Sequence, residues 1–81
     1  MNRHPDHAGE LVRWDAPLNN TEERERFVVL EHNGDRCLIR ALGTRLRIPP
    51  TQTVATAELR TVVTAAECTD DVFAEWQSAR A

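Results

Sequence analysis

Two histidines open the chain as His4-Pro5-Asp6-His7, with Glu10 three residues further on. Imidazole and carboxylate groups ligate first-row metals, but a protein site needs three or four of them held by a second layer of hydrogen bonds. Here they fall on a polar segment without periodicity, and no metal site is expected. His32 stands near Asp35, and Cys37 follows. Covalent catalysis needs a nucleophile, a base in reach and a group that orients the base, and no such trio forms around either residue. Cys37 falls at an inward position of a β-prone run, whereas a reactive cysteine is an accessible thiolate. Glu22-Glu23 and Asp70-Asp71 are paired in sequence. Neighbouring residues on a helix do not face one another, so neither pair makes an acid–base couple. The GxGxxG, P-loop and GxSxG patterns are missing, and the chain has only 3 glycines for any phosphate-cradling loop. The expectation is a protein that is not an enzyme and carries no cofactor.

Arginine is the residue type left to consider. All 10 basic side chains are Arg, and the formal net charge is −3. The charge is unevenly spread. Residues 24–60 hold seven Arg against four acids, while the remainder holds three Arg against nine. The planar guanidinium fork suits phosphate and carboxylate alike. Arg36, Arg40, Arg45 and Arg47 all lie in the basic stretch and are the candidates for such contacts.

These side chains need elements to position them. At 81 residues, with 41% hydrophobic and 28% charged residues, the chain suits one small globular domain. Residues 1–8 read as a loose tail and residues 9–81 as the domain, with a β core over 9–64 and a helix over 65–79. Glu10–Trp14 alternates as a short strand, and the Asn, Asp and Pro residues that follow are loop formers. Thr21–Glu25 suits one helical turn or an exposed strand. The strongest signal is a pair of β-branched and apolar runs, Glu25–His32 and Asp35–Leu42, flanking Asn33-Gly34. That pattern marks a hairpin, and a type I′ turn needs positive φ at both central residues, which Asn and Gly tolerate best. A two-residue Asn-Gly loop would oppose Leu30 to Cys37, Val29 to Leu38, Val28 to Ile39 and Phe27 to Arg40. One face would then carry Val28, Leu30, Cys37, Ile39 and Ala41 as core. The other would carry Phe27, Val29 and Leu38 beside Glu31, Arg36 and Arg40.

Further on, Leu46-Arg47-Ile48 alternates like a strand and stops at Pro49-Pro50. Thr51–Thr56 is β-prone, Ala57–Leu59 suits one tight helical turn, and Arg60–Thr64 suits a last strand. A helix over residues 54–68 is the rival reading, since Ala55, Leu59, Val62 and Ala66 recur at helical spacing. At the C-terminus Thr64 and Glu67 match a capping box, and Thr69-Asp70-Asp71 offers a second helix start. Cys68, Val72 and Trp76 share one helical face with Phe73 beside it, and that face is the candidate cover for the hairpin's second side.

In this order the elements resemble an SH3-like small barrel: five short strands with a helical turn before the fifth. The resemblance is to an architecture spanning roughly Gly9 to Thr64, not to a family motif. Tyr is absent, and the acidic, aromatic groove of peptide-binding SH3 domains is not visible in the sequence, so polyproline recognition is not implied. The fold expected is mainly β, a five-stranded antiparallel barrel or strongly bent sheet with a C-terminal amphipathic helix.

Function follows from surfaces. Phe27, Val29 and Leu38, rimmed by Arg36 and Arg40, would form a half-apolar patch suited to a protein partner, because aromatics and Arg favour binding hot spots. A second copy could seal the same face as a weak homodimer; otherwise the chain is a monomer. The alternative is nucleic-acid binding along a stripe of Arg36, Arg40, Arg45 and Arg47. No apolar stretch is long enough to span a bilayer, the N-terminus lacks the apolar segment of a signal peptide, and Cys37 and Cys68 read as unpaired thiols. A cytoplasmic setting without membrane contact is therefore expected.

Overall fold

The structure, a computed structural model, describes residues 3–63 and 67–79. It is an antiparallel sheet of five strands, β1 (Leu11–Trp14), β2 (Arg26–Asn33), β3 (Arg36–Leu42), β4 (Thr51–Ala55) and β5 (Leu59–Thr61). The order across the sheet is β4-β3-β2-β1-β5, so β4 and β5 are its two edges. The sheet does not close: the barrel of the sequence reading is an open, bent sheet. A helical turn, α1 (Asn20–Arg24), joins β1 to β2. A 3-10 turn (Thr56–Glu58) joins β4 to β5, and α2 (Asp70–Ala79) ends the described chain. The rival helix over 54–68 does not form. Most of that stretch is β4, the 3-10 turn and β5, as its Thr and Val content favours.

The hairpin forms, but one step away from the expected turn. Asn33 pairs with Arg36, leaving Gly34 and Asp35 as the two-residue loop. Gly34 has φ +65, and among the described non-glycine residues only Arg45 has a positive φ. A positive φ at the first central position alone is the type II′ pattern, with glycine where that turn requires it. The ladder then slips between Val29 and Glu31, so that Leu30 bulges out while Val29 pairs with Ile39 and Phe27 with Ala41. A single inserted residue reverses which face each later side chain meets. Phe27 and Val29 therefore join Cys37 and Ile39, where the uninterrupted Asn-Gly register had opposed them.

Two apolar clusters result, one on each face of the sheet. The main one joins Val12, Phe27, Val29, Cys37, Ile39, Val54 and Leu59, with Trp14 and Ala41 against it. The second joins Leu11, Val28 and Leu42 and is covered by Cys68, Val72, Phe73, Trp76 and Ala79. The C-terminal helix is thus the cover the sequence suggested, over a different set of residues. It starts at the second of the two expected sites: Thr69 Oγ1 accepts from the Val72 N–H at 3.3 Å. Thr64, read as a helix cap, lies outside the described residues. Trp76 Nε1 donates to the Gly9 carbonyl at 2.7 Å, and Glu75 Oε1 accepts from the Gly43 N–H at 3.0 Å.

Two further expectations change. Within residues 1–8, read as a loose tail, Arg3 and His4 lie against β5, and Asp6 and His7 are bonded to Glu10. The Arg3 carbonyl accepts from the Thr61 N–H at 2.7 Å, and His4 Nδ1 donates to the Leu59 carbonyl at 2.7 Å. Leu46-Arg47-Ile48 is not a strand. It belongs to an irregular loop from Gly43 to Pro50, where Gly43 has φ +72 and Arg45 φ 59.

Phe27 sits at the centre of the main cluster, 2% exposed. Burying an unpaired carboxylate there removes an aromatic contribution of about 3–5 kcal/mol and adds a desolvation cost. Phe27→Asp is expected to leave the chain unfolded, seen as loss of amide dispersion in NMR spectra. A Cβ on Gly43 would meet Val72 Cγ2 at 2.9 Å, with φ in the left-handed region. Gly43→Ala is expected to cost about 1–3 kcal/mol, read as a lower midpoint in urea unfolding.

Candidate functional site

A concavity opens where the chain leaves β1 and passes beside β4 and the 3-10 turn. Trp14 ends β1 with its ring edge-on to Phe27, centroids 5.2 Å apart and planes at 68°. Its Nε1 donates to Glu25 Oε1 at 3.1 Å, which satisfies the one polar atom of the indole. The chain then leaves the sheet. The Asp15 N–H donates to the Glu58 carbonyl at 2.9 Å, tying this loop to the 3-10 turn. Asn19 caps α1 by accepting from the Glu22 N–H at 2.8 Å, and Glu22 Oε1 accepts in turn from the Leu18 N–H at 3.1 Å. This reciprocal cap holds Leu18 out in solvent, 86% exposed.

Between this loop and β4 lies a hollow of about 480 Å³ lined by Trp14, Asp15, Ala16, Leu18, Glu22, Gln52, Val54, Ala57 and Glu58. Trp14, Leu18 and Val54 supply its large apolar side chains, and Asp15, Glu22 and Glu58 supply three carboxylates with no cation among the lining residues. Asp15 Oδ1 is shut off from solvent and has no hydrogen-bond donor among the described residues. Three carboxylates around a partly apolar hollow favour a cationic neighbour. The outer edge of β4 runs beside the hollow. Among the described residues β4 pairs with β3 alone, and Thr51, Gln52 and Thr53 are exposed. The opposite edge, β5, is covered by Arg3 and His4 through the bonds described above.

The side chains expected to bind do not assemble into one surface. Phe27 and Val29, 2% and 1% exposed, are core. Leu38 is half-buried on the other face of the sheet, so the expected half-apolar patch is absent; the bulge at Leu30 is the cause. Arg36 is exposed beside the Gly34-Asp35 turn, and Arg40 is half-buried with its Nε closed off from solvent. Arg45 and Arg47 are exposed in the Gly43–Pro50 loop, beyond the opposite end of β3 from Arg36. The four arginines therefore form no continuous stripe.

A different arginine group was not foreseen. Arg13 and Arg60 are cross-strand partners, and Arg26 lies near both. Arg26 Nε donates to the Glu67 carbonyl at 2.7 Å, and Arg13 stands 3.6 Å from Glu67 Oε1. Burial lowers the Arg26 guanidinium from its usual range, and the neighbouring Arg13 adds to that. Arg26 and Arg13 thereby anchor the segment leading into α2. Near the N-terminus, Asp6, His7 and Glu10 bring their ligand atoms within 4.8 Å of one another, but their electron pairs are largely committed. The buried Glu10 carboxylate takes Arg3 at 2.7 Å and the N–H groups of Asp6 and His7 at 2.8 and 3.3 Å. His7 Nδ1 meets Asp6 Oδ1 at 2.6 Å, and this bond holds the Asp6 carboxyl below its ordinary range. The cluster is a clasp for the N-terminal segment.

No protein family, no curated protein and no solved structure matches the chain. Among the described residues, no helix is long and apolar enough to cross a membrane.

Neither cysteine is placed for nucleophilic work. Cys37 is fully buried, with Sγ 3.3 Å from Thr56 Oγ1, and burial pushes the Cys68 thiol above its ordinary range. Both thiols are expected to react with an aromatic disulfide reagent at least about tenfold more slowly in the folded protein than in urea.

Proposed function

We propose that this protein is a small, non-catalytic binding module that takes an extended segment of a protein partner into the hollow beside β4. The observation that carries the reading is the conjunction at one place of three features. Apolar side chains, Trp14 and Val54 inside and the exposed Leu18 at the mouth, meet the carboxylates of Asp15, Glu22 and Glu58 and a strand edge with no partner among the described residues. An extended chain added to that edge would gain backbone hydrogen bonds from β4. Alternate side chains would drop into the hollow, which calls for Leu, Ile or Val there, and the flanking positions would carry Arg or Lys to meet the carboxylates. Nucleic acid fits this surface poorly, because its phosphates would face the same three carboxylates.

The test is a titration of the isotopically labelled protein with a synthetic hexapeptide alternating arginine and leucine, followed by amide chemical shifts. Shifts confined to residues 14–22 and 51–58 are expected, with a dissociation constant of about 10–100 µM that weakens severalfold as salt rises. A counterpart with glutamate in place of arginine should not bind. Leu18→Asp, at an exposed position, should remove binding without altering the thermal midpoint. Shifts centred on β3, or none at about 1 mM peptide, would refute the reading.

A further inference from the structure

We infer that a second copy of this chain is an occupant of the hollow, and that the segment it inserts is Arg45-Leu46-Arg47-Ile48. This rests on the reading of the hollow given above and names its ligand.

Residues 45–48 belong to neither apolar cluster of the described residues. Arg45-Leu46-Arg47-Ile48 alternates basic and apolar residues with the period of a β-strand. The fold leaves it outside the sheet. Leu46 is 58% and Ile48 84% exposed, and Arg45 and Arg47 are exposed beside them. Among the described residues the loop's inner anchor is a single local bond, from the Leu46 N–H to Thr44 Oγ1 at 3.1 Å. Arg45 is held at φ 59, a region that costs an L-residue about 1–2 kcal/mol and that an extended strand would relieve. Exposed apolar side chains are ordinary when scattered; two of them alternating with two arginines on one loop make an adhesive segment.

The complementary surface is on the same molecule. The hollow offers apolar contact to Leu46 and Ile48, and Asp15, Glu22 and Glu58 offer charge to Arg45 and Arg47. The free edge of β4 offers a ladder. Pro49-Pro50 ends the inserted segment, since proline cannot donate to a ladder. The two surfaces also lie near one another. Residues of α1, which carries Glu22, share a shallow hollow with Gly43 and Thr44 at the base of the loop. A pair of chains related by a two-fold axis at this end can therefore exchange loops reciprocally, which closes the assembly at two copies instead of extending it into a fibre.

Sedimentation velocity across a concentration series tests this. The wild-type chain is expected to dimerise with a dissociation constant of about 10–100 µM at low salt, weakening severalfold at high salt. Leu46→Asp combined with Ile48→Asp should weaken dimerisation at least about tenfold, as should Leu18→Asp in the hollow. Mixing these two variants is the decisive step. Each lacks one half of the contact, so neither pairs with itself, but the mixture restores one intact loop in one intact hollow and should yield a heterodimer. A wild-type chain still monomeric at about 1 mM would overturn the inference. So would dimerisation that survives both variants, or a mixture that stays monomeric. If the arginine–leucine hexapeptide still binds residues 14–22 and 51–58 in that event, the hollow stands as a site for another protein. If the peptide fails as well, both readings fall.

Discussion

A β-strand sends alternate side chains to opposite faces, and β2 breaks that rule once, at Leu30. Everything apolar in this sheet is arranged around the break. On the base side of it, Phe27 and Val29 face the main core and Val28 faces α2, so three consecutive residues are buried on two sides. On the turn side, His32 rather than Leu30 stands opposite Cys37. Without the bulge, the same turn would place Val29 opposite Arg40 and Phe27 opposite Leu42, on the face of β3 that also carries Arg36, and guanidinium groups would have to enter the core at a prohibitive desolvation cost. The bulge therefore keeps Arg36 and Arg40 off the main core while Cys37 and Ile39 stay in it.

Burial on both faces lets 81 residues stabilise an open sheet. A small domain covers a limited share of its surface, and one apolar face of a short bent sheet would be marginal alone. α2 supplies the second layer, and it is positioned by charge as well as by packing. Arg13 and Arg60 are like charges across a ladder, which is unfavourable in isolation. Glu67, ahead of α2, lies within reach of Arg13 and offers its carbonyl to Arg26, so docking the helix also offsets this repulsion. The uneven distribution of charge along the chain is thus partly used up internally, with basic strands against acidic flanks.

What could be read in advance follows from how local each determinant is. The hairpin, the 3-10 turn before β5 and the amphipathic face of Cys68, Val72 and Trp76 are written in neighbouring residues, and each formed. The register was not readable. Asn33-Gly34-Asp35 permits two turn placements, and a bulge at Leu30 has no local signature; only the competition between burying Phe27 and burying Leu30 decides it. Leu46-Arg47-Ile48 has the alternation of a strand, but it lies in the loop between β3 and β4, and alternation alone does not supply a ladder to join. The acidic, aromatic hollow was invisible for another reason. Trp14, Glu22, Val54 and Glu58 come from four separate segments, and nothing short of the fold brings them together.

The two edges of the sheet are treated differently, and that asymmetry bears on selectivity. Open strand edges invite unwanted pairing, and proteins commonly guard them with charge, proline, bulges or a covering segment. At β5 the covering segment is Arg3 and His4, clasped in place by Glu10. At β4 the exposed residues are Thr51, Gln52 and Thr53, which are uncharged and present no steric guard. If β4 takes a partner strand as proposed, discrimination there would fall to the carboxylates beside the edge. Asp15, Glu22 and Glu58 would repel an acidic strand and leave a neutral one with no compensation for crowding three carboxylates out of water, whereas a basic strand neutralises them as it pairs. On the proposed reading, an edge that is sterically open but flanked by carboxylates would admit few sequences, an alternation of arginine with leucine or isoleucine among them.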